Sequence, residues 1–194
     1  MRKRIFIIIS ISIIIIILTL IGGTFSKSNK TNIDKYLNNN SKIDIYAKGF
    51  MPDINDLPKY EDISYKYNKS SIILFEAETI ILVVNYNTET YEKEKEKLIE
   101  KYNFLNHKVV SNFDTSKYYI PEYEFSINSY NFKVADENEN YEAIYPKSFG
   151  IIGISDKKNS IAYLYFYDLD LDYISVAKNS SMSDFIKMNF KYDF

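Results

Sequence analysis

The chain has 194 residues, with 24 Lys and Arg against 26 Asp and Glu, one histidine and no cysteine or tryptophan. Lack of cysteine excludes thiol catalysis, disulfides and a lipoprotein anchor, and a single histidine excludes a multi-histidine metal site. Both arginines, Arg2 and Arg4, sit at the extreme N-terminus, so the rest of the chain lacks the usual fork for carboxylate or phosphate.

Met1-Arg2-Lys3-Arg4 precedes an isoleucine-dominated run, and Ile5 to Ile21 carries no charge. A helix of about 20 residues crosses a hydrocarbon core of roughly 30 Å. A secretory signal is shorter, with about 7–15 apolar residues and a small-x-small cleavage site. Thr24-Phe25-Ser26 is a poor site of that kind. Residues 1–25 therefore read as an uncleaved transmembrane anchor, with a cleaved signal as the alternative. Its basic end stays cytoplasmic by the positive-inside rule, giving a single-pass protein of the cell membrane with an extracytoplasmic domain. The anchor holds three of the basic residues and no acidic one, so the remainder carries a net charge of −5. An acidic domain without arginine does not favour nucleic acid as a partner.

Residues 26–42 read as a polar tether, reaching roughly 20–25 Å as a coil. Residues 43–194 are then one extracytoplasmic domain, long enough to bury a core of its own. Ile43 to Ala47 alternates like an edge strand, and Gly49 to Leu57, with Pro52 and Pro58, is a loop. Glu61 to Tyr67 alternates with Ile63, Tyr65 and Tyr67 on one face. Asn68 to Ser70 supplies a turn. Ile72–Phe75 and Thr79–Tyr86 are two strands separated by Glu76-Ala77-Glu78.

Glu89 to Tyr102 is the clearest helix, capped by Asn87 or Thr88, with a stripe of Tyr91, Leu98 and Tyr102. Glu122–Ile127 and Asn131–Val134 form a hairpin, as do Ser148–Ile154 and Ser160–Asp168. Both alternating sets of the last strand are apolar, which places it centrally. Gly150 and Gly153 inside a strand signal close backbone approach or a bulge. Ser181 or Ser183 starts a short helix. The fold class is α+β: a transmembrane helix, then a twisted antiparallel sheet packed by one main helix.

Tyr60 to Tyr67, Tyr91 to Lys95 and Tyr165 to Ile174 resemble segments of a family of small, uncharacterised membrane-anchored proteins of low-GC Gram-positive bacteria. The resemblance implies a host type and one exported domain, and it transfers no catalytic residue.

Asp168, Asp170 and Asp172 would share one face of an extended chain and could hold Ca²⁺, set against a plain solvated strand end. The segment lacks the glycine and final carboxylate of an EF-hand loop. Glu76 and Glu78 flank an expected turn and could serve acid–base chemistry, set against simple exposure. His107 reads as a partner of a helix C-terminus, set against a catalytic base. The acidic stretch Asp136 to Glu142 is a docking surface for a basic partner or a solvated loop. No catalytic residue and no cofactor are assigned. The sequence points to a membrane-tethered, non-enzymatic binding domain, immunity- or inhibitor-like, with a protein partner at the cell surface. The rival is a carboxylate-dependent cell-wall hydrolase using a pair among Glu76, Glu78, Asp168, Asp170 and Asp172.

Overall fold

A computed structural model describes residues 25–38, 40–72, 75–110, 116, 118–136, 147–169 and 181–194. In chain order the strands are β1 (Phe25–Lys30), β2 (Asp62–Ile72), β3 (Phe75–Asn85), β4 (Val109–Val110), β5 (Tyr118–Ile120), β6 (Glu124–Ile127), β7 (Tyr130–Val134), β8 (Lys147–Ser155) and β9 (Ser160–Asp168). The helices are α1 (Lys42–Ala47), α2 (Thr88–Lys101) and α3 (Met182–Phe190).

Two antiparallel meanders, β1-β2-β3 and β6-β7-β8-β9, join through β3 and β9 into one seven-stranded sheet of order β1-β2-β3-β9-β8-β7-β6. β4 and β5 form a separate pair. Two of the hairpins turn where asparagine accepts a left-handed backbone, at Asn128 (φ 52°) and Asn159 (φ 48°). β9 is buried along its whole length. Its alternation divides the interior. Tyr163, Tyr165 and Tyr167 face a tyrosine-rich layer under α1 and α2, and Leu164 and Phe166 face a Phe/Ile layer under α3.

The α+β class with a twisted antiparallel sheet holds, but helices cover both faces where one main helix was expected. The expected span, Ile5 to Ile21, lies outside the described residues. Among the described residues no helix is long and apolar enough to cross a membrane. The longest, α2, has 14 residues and is densely charged; at 1.5 Å per residue it would reach only about 21 Å. The transmembrane element, the membrane partner and the single-pass placement are accordingly dropped.

Part of the expected tether is paired in the sheet: β1 runs antiparallel to β2 from Phe25↔Ile72 to Lys30↔Tyr67.

Ile43 to Ala47 is helical, not extended. A strand would put Ile43, Ile45 and Ala47 on one face. The helix buries Ile43 and Ala47, one turn apart, and leaves Ile45 75% exposed. Asp44 at its third position accepts from the Ser41 N–H at 3.2 Å.

The turn expected at Asn68 to Ser70 is absent, because β2 runs on to Ile72. Asn68 is tolerated inside the strand because its side chain donates to the Phe190 carbonyl (2.7 Å) and to Thr79 Oγ1 (3.3 Å).

α2 matches expectation to within a residue, with Asn87 Oδ1 accepting from the Thr90 N–H at 2.9 Å. Asn87→Ala is expected to cost about 1 kcal/mol. A urea midpoint that stays put would show that packing alone starts this helix.

Candidate functional site

The tyrosine-rich face carries both arrangements with chemical content. The first comes from strand register. Lys69↔Glu78 and Ser71↔Glu76 are cross-strand pairs, and residues 69, 76 and 78 point to the face that α1 covers. Lys69 Nζ lies 2.9 Å from Glu76 Oε1 and 3.1 Å from Glu78 Oε1. Glu78 is fully buried, and its Oε2 accepts from the Ile43 N–H of α1 at 3.3 Å.

Burial pushes the Glu78 carboxyl above the usual range, and its hydrogen bond with Glu76 adds to this against the opposing Lys69. Burial also pushes Glu76 up. There, bonds from Lys69 and Glu78 and the charges of Lys69 and Lys42 together win and hold it low. The Lys69 ammonium is discouraged by burial but held on by both carboxylates. Around one ammonium, Glu76 is the acid that ionises more readily and Glu78 the one that keeps its proton longer.

For the hydrolase alternative, the pair Glu76 and Glu78 does not serve. Both acids are clamped on Lys69, and Glu78 has no exposed surface from which to reach a glycosidic oxygen.

The second arrangement is a hollow beside α1. The turn Ile33–Lys35 leads to Tyr36, whose hydroxyl donates to the Pro52 carbonyl at 2.8 Å. The Tyr102 hydroxyl of the α2 C-cap donates to the Phe50 carbonyl at 2.7 Å. These two bonds pin the loop, at Phe50 and Pro52, to the end of α2 and to the turn at Tyr36. Burial raises the Tyr36 hydroxyl far out of its titrating range, so it stays a donor. The Phe50 ring packs on Tyr102 (5.0 Å) and Tyr165 (5.6 Å), over the space where Gly150 has no side chain.

Between the pinned loop and residues 36–37 lies a hollow of about 470 Å³, lined by Tyr36, Leu37, Lys48, Met51, Asp53, Ile54 and Asn55. A smaller one of about 180 Å³ adjoins it across Asp53, bounded by Leu57, Leu98, Tyr102 and Tyr163 with Glu94, Lys97 and Lys101 at its rim. Lys97 is paired with Glu94 at 2.5 Å. Leu37 holds a left-handed backbone, φ 50°, uncommon for a bulky residue, as the third residue of a turn closed by the Asn38 N–H on the Lys35 carbonyl at 3.1 Å.

Of the residues singled out in the sequence, Glu76 and Glu78 come together, with Lys69 between them. Asp168 is fully buried at the end of β9, opposite Ala77 and Lys147 in the register, so it is no solvated strand end. Asp170 and Asp172 lie outside the described residues, as does the acidic stretch beyond Asp136. Among the described residues no group of three or more His, Cys, Asp or Glu is placed to hold a metal ion. His107 is exposed and bonds to Asn106, well past the end of α2 at Lys101. The residues of the hollow were hidden in the expected tether and loop, where only Pro52 gave a signal.

The chain matches no protein-family model, no curated protein and no solved structure. The resemblance to a membrane-anchored Gram-positive family is therefore withdrawn, with the host type it implied. The membrane-tethered reading of function goes with it, since nothing described supports a tether.

Proposed function

We propose that the domain reversibly binds a small zwitterionic amphiphile, of the class of apolar amino acids, in the hollow between residues 36–37 and 48–55. The strained backbone of Leu37 carries the reading. A bulky residue at φ 50° costs on the order of 1–3 kcal/mol, and such strain gathers at ligand clamps. Leu37, Met51 and Ile54 give an apolar wall, and Lys48 and Asp53 stand exposed at the rim for an anionic and a cationic group. The volume of about 470 Å³ falls within the range of ligand sites. The loop is held by the Tyr36 and Tyr102 hydroxyls, so little ordering is left to oppose binding.

The probe is norleucine, with hexanoate and hexylammonium as its single-charge counterparts. Saturation-transfer NMR should give norleucine a Kd on the order of 1 mM, with each counterpart about tenfold weaker. Leu37→Gly should leave the unfolding midpoint nearly unchanged, strain relief offsetting lost packing, while abolishing the transfer. No transfer to any of the three compounds rejects the reading.

A further inference from the structure

We propose that Glu78 is a proton-controlled clasp for α1, and that the helix loosens from the sheet when this buried carboxyl gives up its proton. The geometry is specific. Glu78 is the point where β3 reaches across to the α1 backbone, through Ile43 N–H at 3.3 Å. Its other oxygen meets Lys69, which is shared with Glu76. Two ionised carboxylates would leave a net negative charge on this buried spot, because a single ammonium serves both. Ile43 and Ala47 then seat α1 among the residues of the tyrosine-rich layer, and Tyr46 stacks on Tyr167 at 5.2 Å.

Other charged and titratable groups face the clasp, and Lys42 among them adds positive charge that helps hold Glu76 low. From α1 come Lys42, Asp44 and Tyr46. β2 presents Tyr67 and β9 presents Tyr167, while the buried Asp168 lies on the opposite face of the sheet. Burial first, and then the charge of Glu78, keep the Tyr67 hydroxyl protonated throughout. Burial, helped by the hydroxyl of Tyr46, pushes Tyr167 up to about 12. Neither titrates in the working range.

The direction follows from linkage. With α1 seated, Glu78 is desolvated and holds its proton to a higher pH than it would with α1 lifted into water. The seated state therefore binds more protons between those two midpoints. Its advantage is complete below the ordinary glutamate range and is lost as pH rises through the seated midpoint. The Ile43 N–H favours the carboxylate and softens this response without reversing it. Glu76 acts in the opposite sense, and its contribution is lost as pH falls through its lowered midpoint. Seating is thus tightest in a mildly acidic window. Each pH unit between the seated and lifted midpoints of Glu78 changes the equilibrium about tenfold. The clasp operates whether or not the hollow holds a ligand.

The test uses the full chain. Carboxyl ¹³C NMR gives the Glu78 midpoint, and amide hydrogen exchange, corrected for its intrinsic pH dependence, gives the protection of Ile43, Asp44 and Ala47. Protection in α1 should fall with rising pH along the Glu78 titration, while amides of β9 such as Leu164 stay constant. Glu78→Gln, which keeps the protonated shape, should flatten the response, and Glu76→Gln should move the Glu78 midpoint downward. Constant α1 protection across the Glu78 titration in the unmodified protein overturns the clasp even if neither variant folds. A response that survives in Glu78→Gln overturns it too.

Discussion

Phe166→Ala is expected to lower the unfolding free energy by about 3–5 kcal/mol. Phe166 lies on the central strand β9, has no exposed surface, and forms the floor on which α3 rests. Its ring meets Phe185 of α3 edge-on at 4.9 Å and Phe149 of β8 at 5.4 Å. Truncation removes both contacts and leaves a cavity that two hydrogen-bonded strands cannot collapse to fill. For a domain of this size each kcal/mol moves the melting temperature by about 2–4 °C, so a drop of roughly 10 °C is expected. Phe166→Leu, which keeps most of the volume, should cost much less. A loss below about 1 kcal/mol for the alanine variant would mean that α3 is not packed against β9 as described.

Gly150→Ala is the second large effect, and it reaches the candidate site. A Cβ on Gly150 would stand 2.3 Å from Phe50 Cε2, far inside contact distance. Phe50 cannot simply step aside, because its ring is held between Tyr102 and Tyr165. Overpacking of this kind costs about 1–3 kcal/mol. The residue displaced is the neighbour of Met51, so norleucine binding should fall together with stability. Gly49→Ala is the control, since a Cβ there meets nothing within 4 Å. Adding Phe50→Leu to Gly150→Ala should restore part of the loss, a non-additive result expected only if the two positions share one space. Strict additivity would separate them.

The sequence revealed the elements whose periodicity had one solution. Alternation on both faces of Ser160 to Asp168 placed β9 centrally, and the stripe of Tyr91, Leu98 and Tyr102 oriented α2. Gly150 and Gly153 marked a close backbone approach or a bulge, and it is the rings of Phe50 and Phe132 that use the space. What was not legible depended on pairing. Asn68 and Lys69 look like turn residues until Phe190, Thr79 and Glu78 are seen to satisfy them across the sheet. Glu76 and Glu78 look like a second turn for the same reason. Ile43 to Ala47 fits a strand or one face of a helix, and only the layer of tyrosines beneath it selects the helix. Asn- and Ser-rich polarity suggested a tether from Ser26, but β1 is an edge strand, and an edge needs no apolar face to be recruited by its neighbour. The hollow was least legible of all, since Leu37, Met51 and Asp53 meet only after Tyr36 and Tyr102 have folded the loop down.

Methyl ¹³C spectra recorded during a norleucine titration test the binding site most directly. Saturable shifts of the Met51, Leu37 and Ile54 methyls, with the exposed Met188 methyl of α3 unmoved, are the predicted result. Shifts that appear at Met188 instead, or none at the three methyls of the hollow up to a norleucine concentration on the order of 10 mM, would contradict it.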